Sequence, residues 1–136
     1  MNNLILRLGL FLSMCAVILG AFGAHALKKM VDLPSLEIWH KAVLYQFIHA
    51  FALLICGMLC HSYRLVQIKR AAVMFTIGIV LFSGSLYILT FAKVSSVNLL
   101  WAGPLTPLGG LSFIAGWVLL LVAKPEVKTR ERSINN

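Results

Sequence analysis

The chain has 136 residues, of which 60% are hydrophobic and 12% charged, with a net charge of +8 and a mean hydropathy of +0.92. Soluble domains run at roughly 45–50% apolar and about 25% charged, and a chain this short cannot hide so much apolar surface from water. The composition therefore excludes a soluble globule. The clustering of Lys and Arg between and after apolar runs, usual in membrane proteins, excludes nucleic acid as the partner and leaves membrane lipids.

The first apolar run, about 4–27, is interrupted only by Arg7. About 20 residues at ~1.5 Å rise cross a ~30 Å hydrocarbon core, so it reads as a transmembrane helix, with Arg7 snorkelling to the interface. Its end, Ala24-His25-Ala26, also has the form of a signal-peptide cleavage site. The run exceeds the ~7–15 residues of a signal core and three more spans follow, so the helix is expected to be retained. A loose lipoprotein box ends at Cys15, but Met14 stands where a small residue is needed. Ala16, Gly20 and Ala24 recur every four residues and mark a packing face. A ligand role is the other reading of this glycine-rich end.

Asp32, Pro34 and Ser35 precede the second run, about 42–61. Ser35 is a candidate N-cap for a helix starting outside the hydrocarbon, which would put Trp39 at the interface. Glu37, Lys41, Tyr45 and His49 form an i, i+4 stripe bordered by Gln46, while Ala52, Cys56 and Cys60 form a small-residue face. The cysteines make no CxxC pair, and Cys56 and Cys60 do not complete a zinc site even with His61, so no metal is expected. His40 and His61 fall at the water interface.

The third run, about 71–92, has no charge and contains Gly78, Ser83-Gly84-Ser85 and Tyr87. "GPLTPLGG" leads to the fourth, about 106–123. Thr106 reads as its N-cap with Pro107 at the first helical position, or the segment with Gly109 and Gly110 is partly re-entrant. Ser112 and Gly116 offer the last packing face.

The fold expected is an all-α membrane protein, one domain over 1–123 with four transmembrane helices in a compact antiparallel bundle, and a basic, disordered cytoplasmic tail at 124–136. Eight Lys or Arg fall on the side of the termini against four on the other, which puts both termini in the cytoplasm.

His25, Tyr45, Gln46, His49, Ser83, Ser85 and Tyr87 are candidates for a polar pocket in the outer half of the bundle. It would serve a proton relay, a small ligand or a metal, since ionisable groups at depth are costly and face the bundle. The plainer and favoured alternative is interhelical hydrogen bonding, at about 0.6 kcal/mol per bond. No catalytic constellation and no cofactor motif is apparent.

"GAFGAHALK", the pattern W-x-x-A-x-x-Y-Q-x-x-H from Trp39 to His49, "FSGSLY" at 82–87 and "TPLGG-x-x-F-x-x-GW" from Thr106 to Trp117 resemble the YgdD-like small integral membrane proteins, domain of unknown function 423. The motif positions are Gly20, Gly23, His25, Trp39, Tyr45, Gln46, His49, Ser83, Gly84, Ser85, Tyr87, Thr106, Pro107, Gly109 and Gly110. The resemblance implies a multi-pass protein of the bacterial inner membrane with four spans, and no established activity, substrate or cofactor.

Three functions compete. The first is a non-enzymatic accessory or scaffold protein, or one that interacts with lipid, acting as a homo-oligomer or within a larger membrane complex. The second is a small oligomeric transporter or channel using the His/Tyr cluster. The third is a membrane enzyme or a haem- or quinone-binding protein.

Overall fold

The computed structural model describes residues 3–60, 62–95, 97 and 100–126, and the regular structure among them is helical. Helix α1 is Asn3–His25. A single 3₁₀ turn at Leu27–Lys29 reverses the chain into α2, Leu33–Leu59. The third pass runs unbroken over 30 residues, Leu65–Val94. It comprises α3, Leu65–Gly78, a π-helical turn at Ile79–Ser83 and α4, Gly84–Val94. Helix α5 is Leu105–Leu121. The first three passes are long and apolar enough to cross a membrane, and α5 is a shorter apolar helix.

Two helices begin earlier than the apolar runs suggest, at Leu33 and Leu65. The apolar run marks only the hydrocarbon-crossing part, whereas backbone hydrogen bonding continues through the first charges. At ~1.5 Å per residue the third pass is about 45 Å long, so both ends project beyond a ~30 Å core. The cap of α2 is Asp32, whose carboxylate accepts from the Ser35 N–H at 3.1 Å, with Pro34 in the first turn. Ser35, expected to be the cap, is instead a buried first-turn residue. That Ser35 contact holds the Asp32 carboxyl below its ordinary value, with the Lys93 ammonium adding to the effect.

Antiparallel register is set where glycine lets backbones meet. A side chain at Gly9 would strike Leu54 and the Ala50 carbonyl, and one at Gly57 would strike the Leu6 backbone. Further along, Gly20 faces Val43 and Gly23 faces Trp39. The α1 face turned to α2 is thus Gly9, Ala16, Gly20 and Gly23. Ala16 is buried as expected of a packing residue, but Ala24 is exposed, because it lies ~100° around the helix from Gly23.

α2 packs on α1, α3 and α4, and α5 packs on α3 and the π turn. Between α5 and the third pass, Gly116 faces the Phe75 ring, Gly78 the Phe113 ring and Gly109 the Phe82 backbone. The same antiparallel register continues to the Ser85–Thr106 hydroxyl pair, 2.7 Å apart. A Cβ at Gly84 would meet nothing within 4 Å, so Gly84 is not a packing glycine. Ala52 and Cys56 are buried in the core with Ile68, Ala71, Ala72 and Phe75, with Cys60 at its edge. Gly110 and Ser112 are half-buried on α5.

At one end the loop after α2 is stapled to the end of α5. The Arg64 N–H donates to the Lys124 carbonyl at 3.1 Å and the Glu126 N–H to the Ser62 carbonyl at 3.0 Å. Lys124–Glu126, expected as the start of a disordered tail, is therefore ordered against the loop. His61 and 127–136 lie outside the described residues. α1 begins at this same end, since Leu6 packs on Gly57.

Candidate functional site

Gln46 is the middle residue of α2 and is buried. In hydrocarbon each unsatisfied polar group costs several kcal/mol, so its amide must find partners. Nε2 donates to the Leu12 carbonyl on α1 at 3.0 Å. Oε1 accepts from the Tyr87 hydroxyl on α4 at 3.0 Å. One side chain thereby ties three passes together at mid-depth.

One turn further, His49 is buried against α5. Its Nδ1 lies 2.7 Å from the Tyr45 carbonyl, and the Trp117 indole N–H donates to Nε2 at 3.2 Å. A carbonyl only accepts and an indole only donates. The ring is therefore neutral, with its proton on Nδ1. Phe113 stacks flat on it, centroids 3.4 Å apart at 7°. Both ring nitrogens are engaged within the protein, so neither offers a lone pair to a metal or haem.

Trp39, expected at the water interface, is fully buried. Its N–H donates to the Leu19 carbonyl at 2.9 Å and its ring lies 4.6 Å from that of Tyr87. Gly23 makes room for it: a Cβ there would come within 2.6 Å of the indole. With Leu27 and Leu36, Trp39 forms a second core at the end opposite the termini. There Thr90 Oγ1 reaches the Ser35 carbonyl at 3.5 Å, and Lys93 Nζ lies 3.9 Å from Asp32 on the surface.

The seven candidate pocket residues do not converge. Gln46 and Tyr87 meet directly, and His49 follows on the buried face of α2. His25 is exposed, its Nδ1 turned to the Ala21 carbonyl at 3.0 Å. Two residues from Gly23 is ~200° around the helix, so a glycine facing α2 sends His25 outward. Tyr45 is 39% exposed and stacks on Phe82, centroids 4.5 Å apart. Glu37 and Lys41 are also exposed; of that stripe only His49 turns inward. Ser83 is buried in the π turn, its hydroxyl without a partner among the described residues. Ser85 donates back to the Phe82 carbonyl at 2.9 Å and pairs with Thr106.

Thr106 is therefore not the N-cap of α5. That position belongs to Pro104, and Thr106 and Pro107 sit in the first turn, where Pro costs no intrahelical bond. The segment 105–110 is regular helix, the first turns of α5. Trp117 and Phe113 were not among the candidates. Their spacing of four placed them on one face of α5, but nothing in the sequence paired that face with His49. Among the described residues no three His, Cys, Asp or Glu gather as metal ligands would.

Closely packed apolar helices, the buried Gln46, His49 and Ser85 hydrogen-bonded between helices and an exterior of large apolar side chains define a small helical membrane protein. Residues 19–110 match the sequence model described as "Protein of unknown function (DUF423)". The chain is 39% identical over 121 residues to a UPF0382 membrane protein of Staphylococcus aureus (strain bovine RF122 / ET3-1), covering 89% of this chain and 94% of the relative. It is 39% identical over 117 residues to the UPF0382 membrane protein YwdK of Bacillus subtilis (strain 168), covering 85% and 91%. The chain belongs to the DUF423 family of small bacterial membrane proteins. No solved structure matches it.

Proposed function

We propose that the protein is a non-enzymatic accessory or scaffold protein of the bacterial inner (cytoplasmic) membrane, working through its lipid-facing surface and through partners that dock there. The observation that carries this reading is the disposition of Gln46. Both ends of its amide are spent on neighbouring passes, and His49 and Ser85 are likewise held by protein groups. Polar chemistry at depth thus serves assembly of the bundle. The outer faces carry large apolar side chains such as Phe11, Val17, Val80 and Leu121.

On this reading both termini belong in the cytoplasm. Arg7, Arg64, Lys69, Arg70 and Lys124 share the end where α1 begins and α5 finishes, and Lys28, Lys29, Lys41 and Lys93 the other. The denser end belongs inside. Photo-crosslinkers at Phe11 and Val17, read by mass spectrometry from intact membranes, test the reading. Discrete lipid or protein adducts are expected. A His49-dependent solute flux in liposomes, or turnover of a membrane substrate by the purified protein, would overturn it.

A further inference from the structure

Helix α3 carries Lys69 and Arg70 just past its first turn, both exposed. On one flank a groove of about 450 Å³ runs between Leu4 and Leu8 of α1, Leu53 of α2 and Val73 and Ile77 of α3, with Lys69 on its wall. On the other flank a second groove of about 380 Å³ lies between α3 and Leu119 of α5, and both Lys69 and Arg70 line it. The grooves share Lys69 and Val73, so they sit side by side astride α3.

Their chemistry is graded along the helix. From Lys69 to Ile77 the axis advances about 12 Å, from headgroup level toward the hydrocarbon. Below Lys69 the one further polar side chain of the first groove is Thr76, whose hydroxyl is already given to the Ala72 carbonyl at 2.9 Å. Nothing on the deep walls asks for a polar partner, so the occupant there is hydrocarbon. At the top the basic pair lacks an acidic one. The salt bridge among the described residues, Lys93–Asp32, is at the opposite end, and the one described acid at this end is Glu126.

We propose that Lys69 and Arg70 bind the phosphate of an anionic phospholipid whose two acyl chains lie in the grooves on either side of α3. This rests on the lipid-contacting reading above and gives that contact a place and a headgroup class. Charge complementarity selects the lipid: a zwitterionic one brings its own cation to a site that already has two.

Native mass spectrometry of the detergent-purified full chain, titrated with dioleoylphosphatidylglycerol or dioleoylphosphatidylcholine, tests it. The wild type is expected to prefer the anionic lipid. Lys69→Gln should lower that affinity about fivefold, the worth of one basic side chain at a lipid surface, and leave the zwitterionic lipid unchanged. Arg7→Gln removes the same charge from the same end outside the grooves and should change little. Val73→Trp should weaken both lipids, because Val73 lines both grooves and is 52% exposed, so the change fills them without burying a larger residue in the core. Glycerol phosphate, a headgroup without chains, should not displace the lipid. Equal losses for Arg7→Gln and Lys69→Gln would mean a diffuse field and overturn the site. So would an unaffected Val73→Trp variant or displacement by glycerol phosphate. These readouts are equilibrium lipid affinities, so they stand or fall separately from turnover or flux, which decide the scaffold reading.

Discussion

The Trp117 indole N–H lies 3.2 Å from His49 Nε2, and that contact fixes the imidazole as the Nδ1–H tautomer, because the Tyr45 carbonyl 2.7 Å away accepts a hydrogen bond from the other nitrogen. A histidine held this way is a stacked, hydrogen-bonded plate between α2 and α5 rather than a free base. Ring ¹⁵N spectra of the protein in micelles should show a protonated Nδ1 and a bare Nε2. Trp117→Phe should keep the tautomer and cost about 0.6 kcal/mol, the average for such bonds in membranes. A proton found on Nε2 in the wild type would contradict the arrangement.

Gly84 and Gly109, both in the sequence motifs, differ sharply in what surrounds them. Gly109 faces the Phe82 backbone too closely for any Cβ, and Gly84 has open space. Gly109→Ala should lift α5 from the π turn and cost about 1–3 kcal/mol, as overpacking does. Gly84→Ala should be neutral or stabilising by up to ~1 kcal/mol through helix propensity. Unfolding of both variants in mixed micelles measures the contrast, and equal effects would refute the register.

Asp32 caps α2 as a carboxylate whose pKa lies below its ordinary 3.8, chiefly through the Ser35 contact. A lowered folded-state pKa adds stability above the unfolded value and loses it as pH falls through the folded one. The wild type should therefore be destabilised on acidification below about 3.8 more than Asp32→Asn, which keeps a capping oxygen without titrating. Thermal melts at neutral and acid pH compare the two. Identical acid sensitivity would show that the ionised carboxylate adds no pH-dependent stability beyond that of a neutral capping oxygen.

The helices were legible in the sequence because long uncharged runs have one solution in lipid. Their contacts were legible only in part. Small residues at intervals of four do mark faces, and Ala16, Gly20, Ala52, Cys56 and Gly116 lie on or beside helix contacts. Ala24 satisfies the same spacing but faces outward, and Gly84, in a cluster of small residues, faces open space, because neither spacing nor composition says which azimuth a neighbour occupies. The polar cluster failed for the same reason. The register that sets Gly23 against Trp39 and Gly9 against Leu54 leaves His25 about two to three turns from the level of Tyr45 and His49, and the same rotation of α1 turns it outward. The partners of Gln46 and His49 sit 34, 41 and 68 residues distant, beyond any local pattern. The π turn at Ile79–Ser83 left no mark in an unbroken apolar run.

Polar groups at depth hold the passes together, most directly through the Gln46–Tyr87 hydrogen bond at 3.0 Å. A double-mutant cycle with Gln46→Leu, Tyr87→Phe and the pair, read by reversible unfolding in mixed micelles, isolates that interaction. The predicted coupling is favourable, about 0.6 kcal/mol and up to ~1.7. Gln46→Leu alone should cost more than Tyr87→Phe, since it also releases the Leu12 carbonyl. A coupling of zero, with Tyr87→Phe neutral, would contradict the account.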